Sequence, residues 1–144
     1  MNWRRITLLL VMFPGIMGAL VSPPHVIPLL CAAVLPVFAL LHICTFAAFD
    51  RLLRVQYADA RSAWEQMGCP SGYFWAPPGS CRLSLEQRGN LQSYLVFDTP
   101  DWVKGSKRAS RRYFWFVLCF YFTAFAFAPA FVGIIRLIMM VLPN

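Results

Sequence analysis

The stretch that decides the fold is Ile27–Met67, "IPLLCAAVLPVFALLHICTFAAFDRLLRVQYADARSAWEQM". Its first half, Ile27 to Phe49, is almost free of charge and long enough to cross a bilayer, which takes roughly 20 apolar residues. Its second half changes pattern without any breaker. Leu53, Tyr57, Ala60, Trp64 and Met67 recur at three- and four-residue steps, with Arg51, Arg54, Asp59, Arg61 and Glu65 between them. That is amphipathic helix spacing. The spacing predicts one helix over Ile27–Met67 that leaves the bilayer near Asp50 and stops at Gly68, with Pro70 two residues on. Pro36 falls near the centre of the span, where a membrane helix tolerates it if neighbours satisfy the freed carbonyl.

The composition agrees with a membrane class. Of 144 residues, 59% are hydrophobic and 13% charged, against roughly 25% charged in a soluble domain. The net charge is +7, but the basic residues crowd the ends of apolar blocks. That placement suits anionic lipid headgroups and topology control rather than nucleic acid, which is not expected as a partner.

Two more apolar blocks complete the layout. Ile6–Val21 follows Trp3, Arg4 and Arg5 and reads as an uncleaved first helix, loosened by Pro14-Gly15; a signal peptide is the alternative. "SPPHVIP", Ser22 to Pro28, is a turn between the first two spans. The last block runs from Tyr113 to about Ile135, with Pro129 and Gly133 as a kink. The expected fold is therefore membrane and mainly α: three transmembrane helices with a small cytosolic α+β insertion between the second and third. Residues 1–50 form an N-terminal hairpin, 51–112 the insertion and 113–144 the C-terminal helix. Within the insertion, "GYFW" and "CRLSLEQ" read as two short strands about the turn "APPGS", because Leu83 and Leu85 alternate with polar residues. "NLQSYLVF" fits strand or helix. "DTPDWV" reads as a helix start with Thr99 as N-cap and Pro100 first, broken near Gly105-Ser106.

Orientation follows from lysine and arginine. The Pro-rich turn has none, whereas Arg4, Arg5, Arg51, Arg54, Arg61, Lys104, Lys107, Arg108, Arg111 and Arg112 flank the other ends. The N-terminus and large insertion are expected in the cytosol and the C-terminus in the periplasm of a bacterial inner membrane. There Cys69 and Cys81 are expected reduced. Two cysteines with no histidine beside them do not make a zinc site, so no metal, cofactor or catalytic set is assigned.

Candidate contact residues are then Tyr73, Phe74 and Trp75. They either dip into the headgroup layer, close a small core with Trp64, Leu95, Phe97 and Trp102, or form a partner surface. Trp102 and the Arg108, Arg111, Arg112 cluster belong with them. On the last helix, Phe116, Phe120, Phe127 and Phe131 form a stripe for the hairpin or another subunit. His42 is a candidate intramembrane polar site, roughly 12 Å from the cytosolic edge at 1.5 Å per residue; a bond to a carbonyl or Thr45 is the simpler role. Haem ligation by two histidines is not expected, since His25 lies at the opposite surface. Arg136 falls at the outer headgroups and is expected to snorkel.

Trp64, Gly68, Pro70, Gly72, Tyr73, Phe74, Trp75, Thr99, Pro100, Asp101 and Trp102 together form a W…GxPxG[FY]FW…TP[DE]W pattern over about residues 40–125. In this the chain resembles uncharacterised small bacterial inner-membrane proteins, and more distantly the layout of universal stress protein B, from whose two spans the first helix here departs. The resemblance implies an inner-membrane home and no enzyme chemistry. The expected function is a non-enzymatic accessory or scaffold subunit of a larger inner-membrane complex, with anionic headgroups and another membrane protein, or itself, as partners. The alternative is a small oligomeric transporter or pore-forming protein using His42 and the helix-breaking prolines.

Overall fold

The structure, a computed structural model, describes residue 23 and residues 27–141. Its elements are α1 (Ile27–Asp59), α2 (Arg61–Gln66), α3 (Leu85–Phe97), α4 (Asp101–Lys104) and α5 (Lys107–Val141). The expected first span, Ile6–Val21, the chain ends, and most of the Pro-rich turn with His25 lie outside the described residues. Helix α1 has 33 residues and α5 has 35, so each is about 50 Å long. Both run through an internal proline, Pro36 in α1 and Pro129 in α5. Among the described residues these two helices are long and apolar enough to cross a membrane, over Ala33–Asp59 and Lys107–Arg136, with mean hydropathies of 1.9 and 2.0 over an 18-residue window of each.

Contacts divide the chain into two compact units, one of which is Ile43–Phe120. It begins inside the apolar part of α1 and ends inside that of α5. Its core is the buried face of α1 (Phe49, Leu52, Leu53, Val55, Gln56), Trp64, Leu95 and Val96 from α3, Val103 from α4, and Ala109, Tyr113 and Phe116 from α5. Phe49 and Phe116 meet with ring centroids 5.7 Å apart. The other unit contains the apolar ends of α1 and α5. There Phe38 packs on Phe127 at 5.8 Å, and the buried face of α5 is Thr123, Ala126 and Ala130, small side chains of the kind that let helices approach closely.

The sequence pattern places a single helix over Ile27–Met67; the structure breaks it at Ala60 (φ −143°, ψ 54°). Alanine is the best helix former, so the break comes from tertiary packing rather than propensity. After it, Trp64 is fully buried and its indole N–H donates to the Pro70 carbonyl at 3.1 Å. Arg61 lies over the Tyr57 and Trp64 rings at 4.0 and 4.6 Å. The helix stop at Gly68 is as expected. Gly68 (φ 82°) and Cys69 (φ 54°) both take left-handed backbone, and the Cys69 N–H returns to the Trp64 carbonyl at 3.1 Å, the six-to-one bond of a Schellman ending.

The α+β insertion is not what the structure shows. No strand occurs among the described residues, only an isolated bridge between Pro70 and Cys81. "GYFW" is loop. In "CRLSLEQ" the side chain of Ser84 accepts from the Gln87 N–H at 3.2 Å, and the Gln87 amide accepts from the Ser84 N–H at 2.8 Å. This capping box starts α3, which also resolves "NLQSYLVF" as helix. Thr99 does not cap α4: Pro100 is the capping residue, and Thr99 Oγ1 pairs instead with the Tyr113 hydroxyl at 3.1 Å. The break at Gly105-Ser106 is present, and Ser106 Oγ accepts from the Ala109 N–H at 3.3 Å as α5 begins. That start lies upstream of Tyr113, the residue expected to open the last helix.

Replacing Trp64 with Ala should lower the stability of the detergent-solubilised protein by about 3–5 kcal/mol, read as a fall in thermal midpoint. Leu85→Ala, at an exposed position on α3, should change it by no more than about 0.5 kcal/mol.

Candidate functional site

The Ile43–Phe120 unit is organised about Asp50, which is only 4% exposed. One carboxylate oxygen accepts the Tyr73 N–H at 2.7 Å and the other the Phe74 N–H at 2.7 Å. Consecutive backbone amides thus hold both oxygens, and charge-assisted bonds of this kind are the strong ones. The neighbouring Gly72 is what lets the loop come this close. A Cβ there would lie 2.6 Å from Asp50 Cγ and collide with Oδ1. Gly72 N–H itself closes the loop on the Trp75 carbonyl at 2.7 Å. At the base, Cys81 N–H donates to the Cys69 carbonyl at 2.8 Å and Ser71 N–H to the Cys81 carbonyl at 3.1 Å. Cys69 and Cys81 carry free thiols.

Held this way, the three aromatics have different surroundings. Tyr73 stacks on Phe46 with centroids 3.9 Å apart and meets the edge of Phe49 at 5.9 Å. The Arg88 guanidinium lies over the Tyr73 ring, 5.1 Å from its centroid. Burial pushes the Tyr73 phenol above its ordinary value; Arg88 opposes this and Asp50 adds to it. Trp75 meets Tyr57 edge-on at 5.6 Å, with Arg54 at 5.7 Å from its ring. Phe74, between them, is 67% exposed. Core and surface roles are therefore divided within one tripeptide. Trp64 joins this aromatic cluster through Tyr57, at 5.1 Å, and Leu95 on α3 is fully buried.

The arginines at the start of α5 also separate. Arg108 reaches Asp59 at 3.6 Å, Arg111 is exposed, and Arg112 joins Arg51 in a cavity of about 270 Å³. That cavity has Cys44, Ala48, Trp115 and Cys119 as its apolar wall. The two guanidiniums thus stand beside an apolar wall. Arg51 and Trp115 belong to this group and were not singled out by the sequence pattern as partners, although Arg51 stands one turn from Ala48 and two from Cys44 on α1.

The phenylalanines of the stripe have different surroundings. Phe116 is buried against Phe49 and approaches Phe120 at 6.4 Å. Phe127 and Phe131 stack at 5.7 Å and are 45% and 52% exposed. Trp102 is half-buried, with its indole nitrogen shielded from solvent and unpaired. His42 is half-buried, edge-on to Phe38 at 4.6 Å. Arg136 is likewise half-buried on α5. No three His, Cys, Asp or Glu side chains among the described residues come together as a metal site would require. Asp50 is the site residue that the sequence reading missed, and Gly72, read there only as part of the GxPxG pattern, is what makes room for it. The only signal for Asp50 was an aspartate at the end of an apolar run.

No protein-family model matches the chain, and neither a curated protein nor a solved structure matches it significantly.

Asp50→Ala leaves two amides without their acceptors, each worth about 1–3 kcal/mol when buried and unmet. Asp50→Ala and Gly72→Ala should both lower the thermal midpoint and open the loop to trypsin at Arg82. The Cys69→Ser, Cys81→Ser double variant should stay within about 0.5 kcal/mol of the parent.

Proposed function

We propose that this chain is a multi-pass protein of the bacterial inner membrane that serves as a non-enzymatic accessory or scaffold subunit of a larger membrane complex. The observation that carries the reading is the apolar surface that α1 and α5 leave uncovered: Val37, Leu40 and Ile43 on α1, and Phe122, Phe125, Ile134, Ile138 and Met139 on α5, besides Phe127 and Phe131. A water-soluble monomer rarely leaves so many large apolar side chains exposed along two helices. Lipid covers most of it in this reading, and the stacked Phe127–Phe131 pair offers a partner helix a preformed aromatic contact.

Support for the orientation comes from charge. Arg51, Arg54, Arg61, Lys104, Lys107, Arg108, Arg111 and Arg112 all belong to the Ile43–Phe120 unit, which favours a cytosolic unit and N-terminus with a periplasmic C-terminus. Support for a scaffold comes from Asp50. Its oxygens are occupied by backbone amides, so the buried carboxylate of the unit serves to hold shape.

In spheroplasts, Cys69 and Cys81 should resist an impermeant maleimide until the membrane is opened; labelling from outside would reverse the orientation. Purification in mild detergent should recover a larger membrane partner, in amounts reduced by Phe127→Ala and Phe131→Ala. A homo-oligomer that conducts ions in liposomes would instead support a pore or transporter and sink the subunit reading.

A further inference from the structure

A second cavity, of about 430 Å³, is formed by the loop that Asp50 holds and by the approach to α3. Ser71, Tyr73, Phe74, Ser80, Arg82 and Arg88 line it. Its chemistry is that of an anion site. Two guanidiniums from different segments reach it, and neither has a carboxylate partner among the described residues. No described Asp or Glu lines it. Asp50 lies under the same loop, but its two oxygens are occupied by the Tyr73 and Phe74 amides.

An independent observation points to a missing partner. Ser71 is 3% exposed, and its hydroxyl has no hydrogen bond. Buried hydroxyls are rarely left so. The Nε of Arg88 is also shielded and unpaired. Ser71 and Arg88 both line the cavity, so a rotation of either side chain brings an unmet donor to a multi-oxygen acceptor held there.

We propose that this cavity binds a phosphate group, with Arg82 and Arg88 as charge partners and the Ser71 hydroxyl as a donor. Its position on α1 indicates the source. Tyr73 stacks on Phe46 and the loop is fixed to Asp50, so the cavity stands at the level where α1 passes from apolar to charged sequence. Resting on the membrane reading above, that is headgroup depth, and the exposed Phe74 at the rim is suited to the interface. The ligand is then the phosphate of an anionic lipid headgroup, not a soluble phosphate.

The test uses the full chain in nanodiscs of phosphatidylcholine with increasing phosphatidic acid or phosphatidylglycerol, with retained lipid counted by native mass spectrometry. A parallel titration with inorganic phosphate in detergent is read by ³¹P line broadening. The Arg82→Gln, Arg88→Gln double variant should retain anionic lipid at least about tenfold less well. Ser71→Ala removes an unpaired group, so it should fold as well as the parent yet bind about threefold less tightly. Arg51→Gln with Arg112→Gln, at the other cavity, should leave this retention within about twofold. Equal losses from both arginine pairs would mean diffuse charge attraction and overturn the site. So would full retention by the Arg82, Arg88 variant. Saturable inorganic phosphate binding that these substitutions abolish, without lipid retention, would overturn the lipid source. Failure of the chain to enter nanodiscs would count against the membrane reading, while the phosphate titration would still decide the cavity.

Discussion

One carboxylate sets the geometry of the polar unit. Taking Asp50 out of water costs several kcal/mol unless its acceptor capacity is met, and two successive amides of the 72–75 loop meet it. Every other feature of the loop depends on that grip. It requires glycine at 72, it sets Tyr73 flat against Phe46 and turns Trp75 to Tyr57, and it leaves Phe74 outside. The partners are backbone dipoles rather than a cation, which is why the nearby arginines remain available for rings and for the two cavities.

The same loop is closed at a second place. The Cys69–Ser71 and Cys81 backbones bond across its base, and the Trp64 indole ties Pro70 back to α2. A loop rich in glycine and proline is thereby fixed at the tip by Asp50 and at the base by Trp64. Left-handed backbone at Gly68 and Gly79 turns the chain into and out of it. The aromatic tripeptide stands on this frame against α1, without regular secondary structure of its own.

Much of the architecture was legible because it depends on repeated local signals. The apolar runs of α1 and α5, the amphipathic continuation after Phe49, the stop at Gly68 and the break at Gly105 can each be read from a short window. What was not legible depended on a choice between local signals or on distant partners. Ser84 and Gln87 spell a capping box, but the alternation of Leu83 and Leu85 suggested a strand, and the reciprocal hydrogen bonds decide for the helix. Thr99 had the right chemistry for a cap, yet Tyr113 offered its hydroxyl a partner. Asp50 read as the polar edge of a span because nothing nearby in sequence shows the amides that reach it. The separation of Phe74 from Tyr73 and Trp75 was invisible for the same reason.

The pairing of Phe49 with Phe116 bears on the order in which the unit assembles. Asp50 finds its amides 23 and 24 residues downstream, a stretch that can close before the last helix has been made. Phe49 must wait for Phe116, near the far end of the unit, and each doubling of the intervening chain adds about 0.6 kcal/mol of closure entropy. During synthesis the loop can therefore dock on α1 first, leaving the side of Phe49 that meets Phe116 uncovered until α5 arrives. That interval is when a half-made chain is most exposed to aggregation and proteolysis, and the early Asp50 contact shortens the search that ends it.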